Sequence, residues 1–97
     1  MKAPEIAAMA ADLVSGDRDR VHGAKGKNFA DIAAFWTTYL QRRFPGFTGV
    51  LDGTDAALMG DLLKTARTVS GKHNPDDYVD KAGYAACAGE IAGRERA

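Results

Sequence analysis

Ile6, Met9, Leu13 and Val14 recur at three- and four-residue intervals, a spacing that stacks side chains on one helical face. It predicts a first helix over residues 4–15, closed by Ser15-Gly16. Residues 16–27, GDRDRVHGAKGK, are polar and glycine-containing and read as a loop. Phe29, Ile32, Ala33, Trp36 and Leu40 restore the helical stripe and predict a second helix over 28–43. Asn28 would be its N-cap, Asp31 would favour its positive end, and Arg42 and Arg43 would suit its C-terminus. FPGFTGVLDG, residues 44–53, is turn-rich; its apolar side chains are expected to fold back over the core, with a short hairpin as the alternative.

A third helix is expected over 54–70, capped by Asp52 or Thr54. Its stripe of Leu58, Met59, Leu62, Leu63, Ala66 and Val69 should face inward, leaving Asp61, Lys64 and Arg67 toward another side. Gly71 ends it. The fourth helix, over 75–93, has the clearest start: Asn74 as cap, Pro75 at the first helical position, then Asp76 and Asp77 at the positive end of the dipole.

No segment alternates with a period of two, and the connections are short enough for antiparallel neighbours, so the pattern predicts an all-α, compact four-helix domain. The 97 residues allow one such domain with a small core. Apolar residues make up 45% of the chain, but many are alanine, which fills volume thinly. Ala82, Gly83, Ala86 and Gly89 leave the fourth helix a smooth side on which another helix can lie close, so a homo-oligomer is expected.

Lysine plus arginine equal aspartate plus glutamate at 13 each, which leaves no overall field to hold a nucleic-acid polymer or an anionic membrane. Any anion site must be local. Cys87 is the single cysteine and no window has the apolar length of a membrane span, so a cytoplasmic protein without internal disulfides is expected.

The candidate chemistry is concentrated where the third and fourth helices meet. Asp77, Asp80 and Tyr84 share one face of the fourth helix, and Lys64 and Arg67 are stacked three apart on the third. The short link between these helices should bring the cations to the carboxylates. The plainest reading is an interhelical salt-bridge cluster; the sharper one is a polar pocket in which spare positive charge faces an anion. His73 and Asn74 lie at the junction, where a helix N-terminus favours anions. The loop ahead of the second helix, with His22, Gly23, Lys25, Gly26, Lys27 and Asn28, could present backbone N–H groups to a phosphate, although it lacks P-loop spacing. His22 and His73 with one cysteine make no zinc-ligand pattern, and Cys87 sits among alanines as a small core residue.

Together HG-x4-NF at 22–29, Trp36, Tyr39-Leu40, DAALMGDLLKTAR and HNPDDYVDKAGYAA resemble a family of small phage-encoded proteins of unknown function. The third and fourth helices are more remotely similar to all-α nucleoside triphosphate pyrophosphohydrolases of the MazG type, which hold magnesium with two carboxylate pairs. Asp77 and Asp80 match the second pair in spacing; the first pair has no counterpart, and Lys64 and Arg67 stand roughly in its place. Two carboxylates beside two fixed cations make a poor magnesium cage, whereas those cations suit phosphate oxygens. Tyr84, with Trp36 or Phe35, could stack on a base.

The leading expectation is therefore a phage protein, acting in the host cytoplasm, that binds and sequesters a small phosphorylated nucleotide such as a cyclic nucleotide immune signal. It would use no cofactor or resident metal. A nucleotide pyrophosphohydrolase or phosphodiesterase with a metal on Asp61, Asp77 and Asp80 is the first alternative. A protein-interaction module with purely structural charges is the second.

Overall fold

The computed structural model describes residues 1–16 and 24–97. Within them the chain forms four α-helices: α1 (Ala3–Leu13), α2 (Lys25–Arg43), α3 (Gly53–Thr68) and α4 (Pro75–Glu95). No strand occurs among the described residues, so the all-helical expectation holds and the alternative hairpin at 44–53 does not form. None of the helices is long and apolar enough to cross a membrane.

Local chemistry accounts for most helix ends. The Asp52 carboxylate accepts from the Asp55 amide at 2.8 Å, and Asp55 returns the bond to the Asp52 amide at 3.0 Å, a reciprocal cap built from two aspartates. Asn74 accepts from the Asp76 amide at 3.1 Å ahead of Pro75, as its position implies. The start of α2 departs from expectation: Ala24 is the N-cap, so Lys25, Lys27 and Asn28 belong to the helix, and no acid lies in its first turn. Asn28 is therefore not a cap. The interval between its amide and the Ala24 carbonyl, 3.0 Å, is already a helical hydrogen bond.

The helices pack in the spatial order α2, α3, α4, α1, with the closest association between α3 and α4. The inward side of α3 is the reverse of the expected one. Gly53, Ala56, Ala57 and Gly60 are buried, and Leu58, Met59, Leu62 and Leu63 are exposed. The reason is steric: a row of small residues lets α4 approach closely, and a leucine row would hold it away. Gly60 shows how close this is, because a β-carbon there would fall 2.5 Å from Cε1 of Tyr84.

The resulting core is small. Among the described residues its buried apolar members are Ala10, Ala33, Ala56, Ala57, Val79, Cys87, Ala88 and Ile91, of which Ile91 alone is a large, completely enclosed side chain. The connection at 44–52 does not fold over the core as expected, since Phe44 and Val50 are exposed. Thr37 fixes it from α2 by accepting from the Leu51 amide at 2.9 Å. The smooth side of α4 is partly covered within the chain: Leu13 and Val14 of the α1 end pack against Gly83, whereas Gly89 has open space beside it.

The C-terminal turn closes the molecule onto the start of α3. Glu95 accepts from the Gly53 amide at 2.9 Å, the Thr54 amide at 2.8 Å and the Thr54 hydroxyl at 2.8 Å. It thereby satisfies N–H groups that a helix start leaves unpaired. Partial burial pushes the Glu95 carboxyl up, but these bonds outweigh it and hold its pKa below the usual range. Arg96 forks onto both oxygens of Asp52 at 2.9 Å each, and reaches Asp55 at 3.0 Å. Its hydrogen bond, chiefly, draws the Asp52 pKa from 3.8 to about 2.

A carboxyl whose pKa is lower in the folded state stabilises the fold above its unfolded pKa and loses that contribution as pH falls through the folded value. Urea titrations of the wild-type chain should therefore show stability declining from about pH 4 toward about pH 2. Arg96→Ala should flatten that decline while leaving helicity unchanged at neutral pH. An unaltered acid profile in the variant would show that this contact contributes nothing in solution.

Candidate functional site

Two interhelical ion pairs form the seam between α3 and α4. Lys64 Nζ lies 2.8 Å from Asp80 Oδ2, and Arg67 Nε lies 3.4 Å from Asp77 Oδ1. The spacing predicted this meeting: residues 64 and 67 occupy one face of α3, and 77 and 80 occupy one face of α4, each a single turn apart. The two pairs differ in exposure. Lys64 is enclosed, with 15% of its side chain accessible, and Arg67 keeps 58% accessible although its partner Asp77 is buried. A third pair extends the seam, as Lys81 Nζ meets Asp61 Oδ1 at 2.6 Å and also bonds the Thr65 hydroxyl.

Asp80 also borders a cleft of about 720 Å³ between α1 and the first half of α4. Met9 and Leu13 from α1 and Val79 from α4 form its apolar wall, and Asp12, Ser15 and Asp76 add polar groups. Local pattern offered no signal for Asp12, Ser15 or Asp76 as site residues. They come together with Asp80 only because α1 packs across α4. Among the described residues, no three His, Cys, Asp or Glu side chains converge as a metal-holding group.

The remaining candidates are distributed unevenly. His73 and Asn74 stand at the entrance to α4, with the imidazole tilted against Tyr78 at 5.8 Å between ring centres and Asn74 used as the cap. Tyr84 is one turn beyond Asp80, but its ring is packed over Gly60 and meets Phe29 edge-on at 6.1 Å, so packing occupies the face expected to stack on a base. Trp36 lies on α2, partly exposed, and Phe35 is 77% exposed.

Lys25 and Lys27 are not part of the seam. Lys25 pairs with Glu90 at 3.3 Å and Lys27 with Asp31 at 2.8 Å. Glu90 is ten residues beyond Asp80, about 15 Å along the helix. These lysines and Asn28 sit within α2, so the expected phosphate-cradling loop is not formed by residues 24–28. His22 and Gly23 lie outside the described residues. Cys87 is buried, in keeping with a core role.

The profile of a family described as Domain of unknown function (DUF6378) matches residues 5–92, which takes in all four helices and the whole α3–α4 seam. The chain belongs to this family. The chain is also similar to the Gene 55 protein of Mycobacterium phage D29, 32% identical over 79 residues, which are 81% of this chain and 48% of that protein. The chain thus spans about half the length of that relative. The resemblance to a phage-encoded family of unknown function is borne out. No solved structure matches the chain.

Proposed function

We propose that this DUF6378 protein binds a small phosphorylated nucleotide and holds it intact, with the base and sugar in the α1–α4 cleft and the phosphates at the Lys64–Arg67 end. The observation that carries this reading is the position of Asp80, which both lines the cleft and engages Lys64. A cation thus stands one ion pair away from a cavity of about 720 Å³, within the size range of small-molecule sites. Met9, Leu13 and Val79 offer apolar surface to a base. Arg67, open over more than half its side chain, offers a planar donor edge.

A phosphate that reaches Lys64 must displace Asp80, so affinity is the difference between two ion pairs. The opposite side of the seam supplies cations where the MazG-type enzymes have their first carboxylate pair, and this favours holding a phosphate over magnesium-dependent cleavage. A phage protein that retains a nucleotide in this way would lower the free concentration of a host signal, a cyclic nucleotide immune messenger being the class that fits sequestration.

The second reading, metal-dependent hydrolysis on Asp61, Asp77 and Asp80, is less favoured, because each of these carboxylates meets a cation and no three carboxylates converge among the described residues. Asp80→Asn separates the two. Under the binding reading it releases Lys64 and strengthens the complex several-fold; under the hydrolytic reading it abolishes turnover. In a thermal-shift screen of mono-, di- and cyclic nucleotides, with and without magnesium, a bound nucleotide should raise the melting temperature and be recovered unchanged after heating. Lys64→Ala should weaken that complex at least about ten-fold, equivalent to about 1.4 kcal/mol. A screen in which no nucleotide stabilises the chain would refute both readings, and recovery of cleaved product would decide for the second.

A further inference from the structure

We infer that the outer face of α3 is a self-association surface, on which a second copy of this chain docks with its own α3 antiparallel. The helix carries a polar flank, with Asp61 and Thr65, between two apolar ones. Its inner side is spent on α4, and its outer side exposes Leu58, Met59, Leu62 and Leu63, with Val69 following at its end. A contiguous exposed apolar face of this kind marks an interaction surface. Leu62 is 65% accessible and Val69 84%, values for side chains standing in water as the chain is drawn alone.

The amount of surface favours a second copy over a small ligand. The chain exposes 6580 Å². A folded monomer of 10.3 kDa exposes about 5,400 Å². The excess, roughly 1,200 Å², exceeds the approximately 800 Å² that each partner contributes to a standard stable interface. The radius of gyration agrees, at 14.7 Å against about 12.5 Å for a compact chain of this length.

The pattern of residues favours self-pairing in particular. Asp55, Met59, Leu62, Ala66 and Val69 follow one another at intervals of four, three, four and three, the seam spacing of paired helices. A two-fold axis beside Leu62 sets that leucine against its own copy and lays each Met59 over the partner's Ala66, so large meets small on both sides of the centre. An antiparallel arrangement also opposes the two helix dipoles. The self-association expected from the smooth side of α4 is thereby relocated, because α1 already covers that side at Gly83. Leu62 lies about 160° around α3 from Lys64, so this surface and the nucleotide cleft are independent.

Light scattering coupled to size exclusion tests the inference on the full chain at micromolar concentration. The wild-type protein should have twice the 10.3 kDa mass of one chain, and Leu62→Arg should have the single mass with unchanged helicity. Should Leu62→Arg fail to fold, Leu62→Cys provides a second measurement: on mild oxidation it should crosslink to its own copy, and Phe35→Cys, exposed on α2, should not. A monomeric wild-type chain, a Leu62→Arg protein that keeps the wild-type mass, or a Leu62→Cys protein that does not crosslink would overturn the proposal.

Discussion

Ile91→Ala is expected to lower the unfolding free energy by about 3–4 kcal/mol, the upper-middle range for removing a buried aliphatic side chain. The size of the effect follows from the composition of the core, where, among the described residues, Ile91 is the one large side chain fully enclosed and the other buried apolar residues are chiefly alanines. Alanines cannot shift into the space it vacates, so the cavity should persist. Ile91 also stands where three helices meet, since a β-carbon on Gly53 would touch Ile91 Cγ2 at 3.4 Å and the Ala30 amide at 3.3 Å. For a chain of this length the loss corresponds to a fall of about 15 °C or more in melting temperature. Urea and thermal denaturation followed by circular dichroism, at one fixed protein concentration, would measure it. A loss below about 1 kcal/mol would mean that the α2–α3–α4 junction is not the centre of stability.

Gly60→Ala should also destabilise the fold, by about 2 kcal/mol, and here the sign is the informative part. On helix propensity alone, alanine in place of a mid-helix glycine gains about 1 kcal/mol. The opposite outcome is expected because the new β-carbon would lie 2.5 Å from Cε1 and 2.9 Å from Cζ of Tyr84. The tyrosine cannot simply retreat, since its other side meets the edge of Phe29. In a Tyr84→Ala background the same substitution should become neutral or stabilising. A double-mutant cycle isolates this coupling, and additive effects would show that α3 and α4 are not in contact at this point.

These two expectations rest on one feature of the molecule. The helices are held by close approach between small residues and by polar clasps, and large side chains contribute little to the interior. The chain leaves Leu58, Met59, Leu62 and Leu63 of α3 outside. The charged seam has a corresponding economy: each described cation there meets a carboxylate, and Arg67 alone of the Lys64–Arg67 pair keeps an open edge.

Much of this was legible along the chain. Helix type, the Asn74-Pro75 start of α4, the Asp52 cap of α3 and the meeting of Lys64 and Arg67 with Asp80 and Asp77 depend on groups within a turn of one another or across one short link. Spacing is enough to read such relations. The direction in which α3 faces was not legible, because the helix carries both a stripe of large apolar residues and a stripe of small ones, and steric access to Gly60 and Ala57 outweighed the area of Leu62.

The α2 start likewise moved from Asn28 to Ala24, where packing overrode a good local cap. Glu95 and Arg96 reach the head of α3 across more than forty residues, and Asp12, Asp76 and Asp80 share a cleft because α1 crosses α4. Local chemistry thus determined which segments are helical and which charges could pair. Only the tertiary packing chose the buried faces and assembled the cleft, because those outcomes depend on how closely distant backbones can approach.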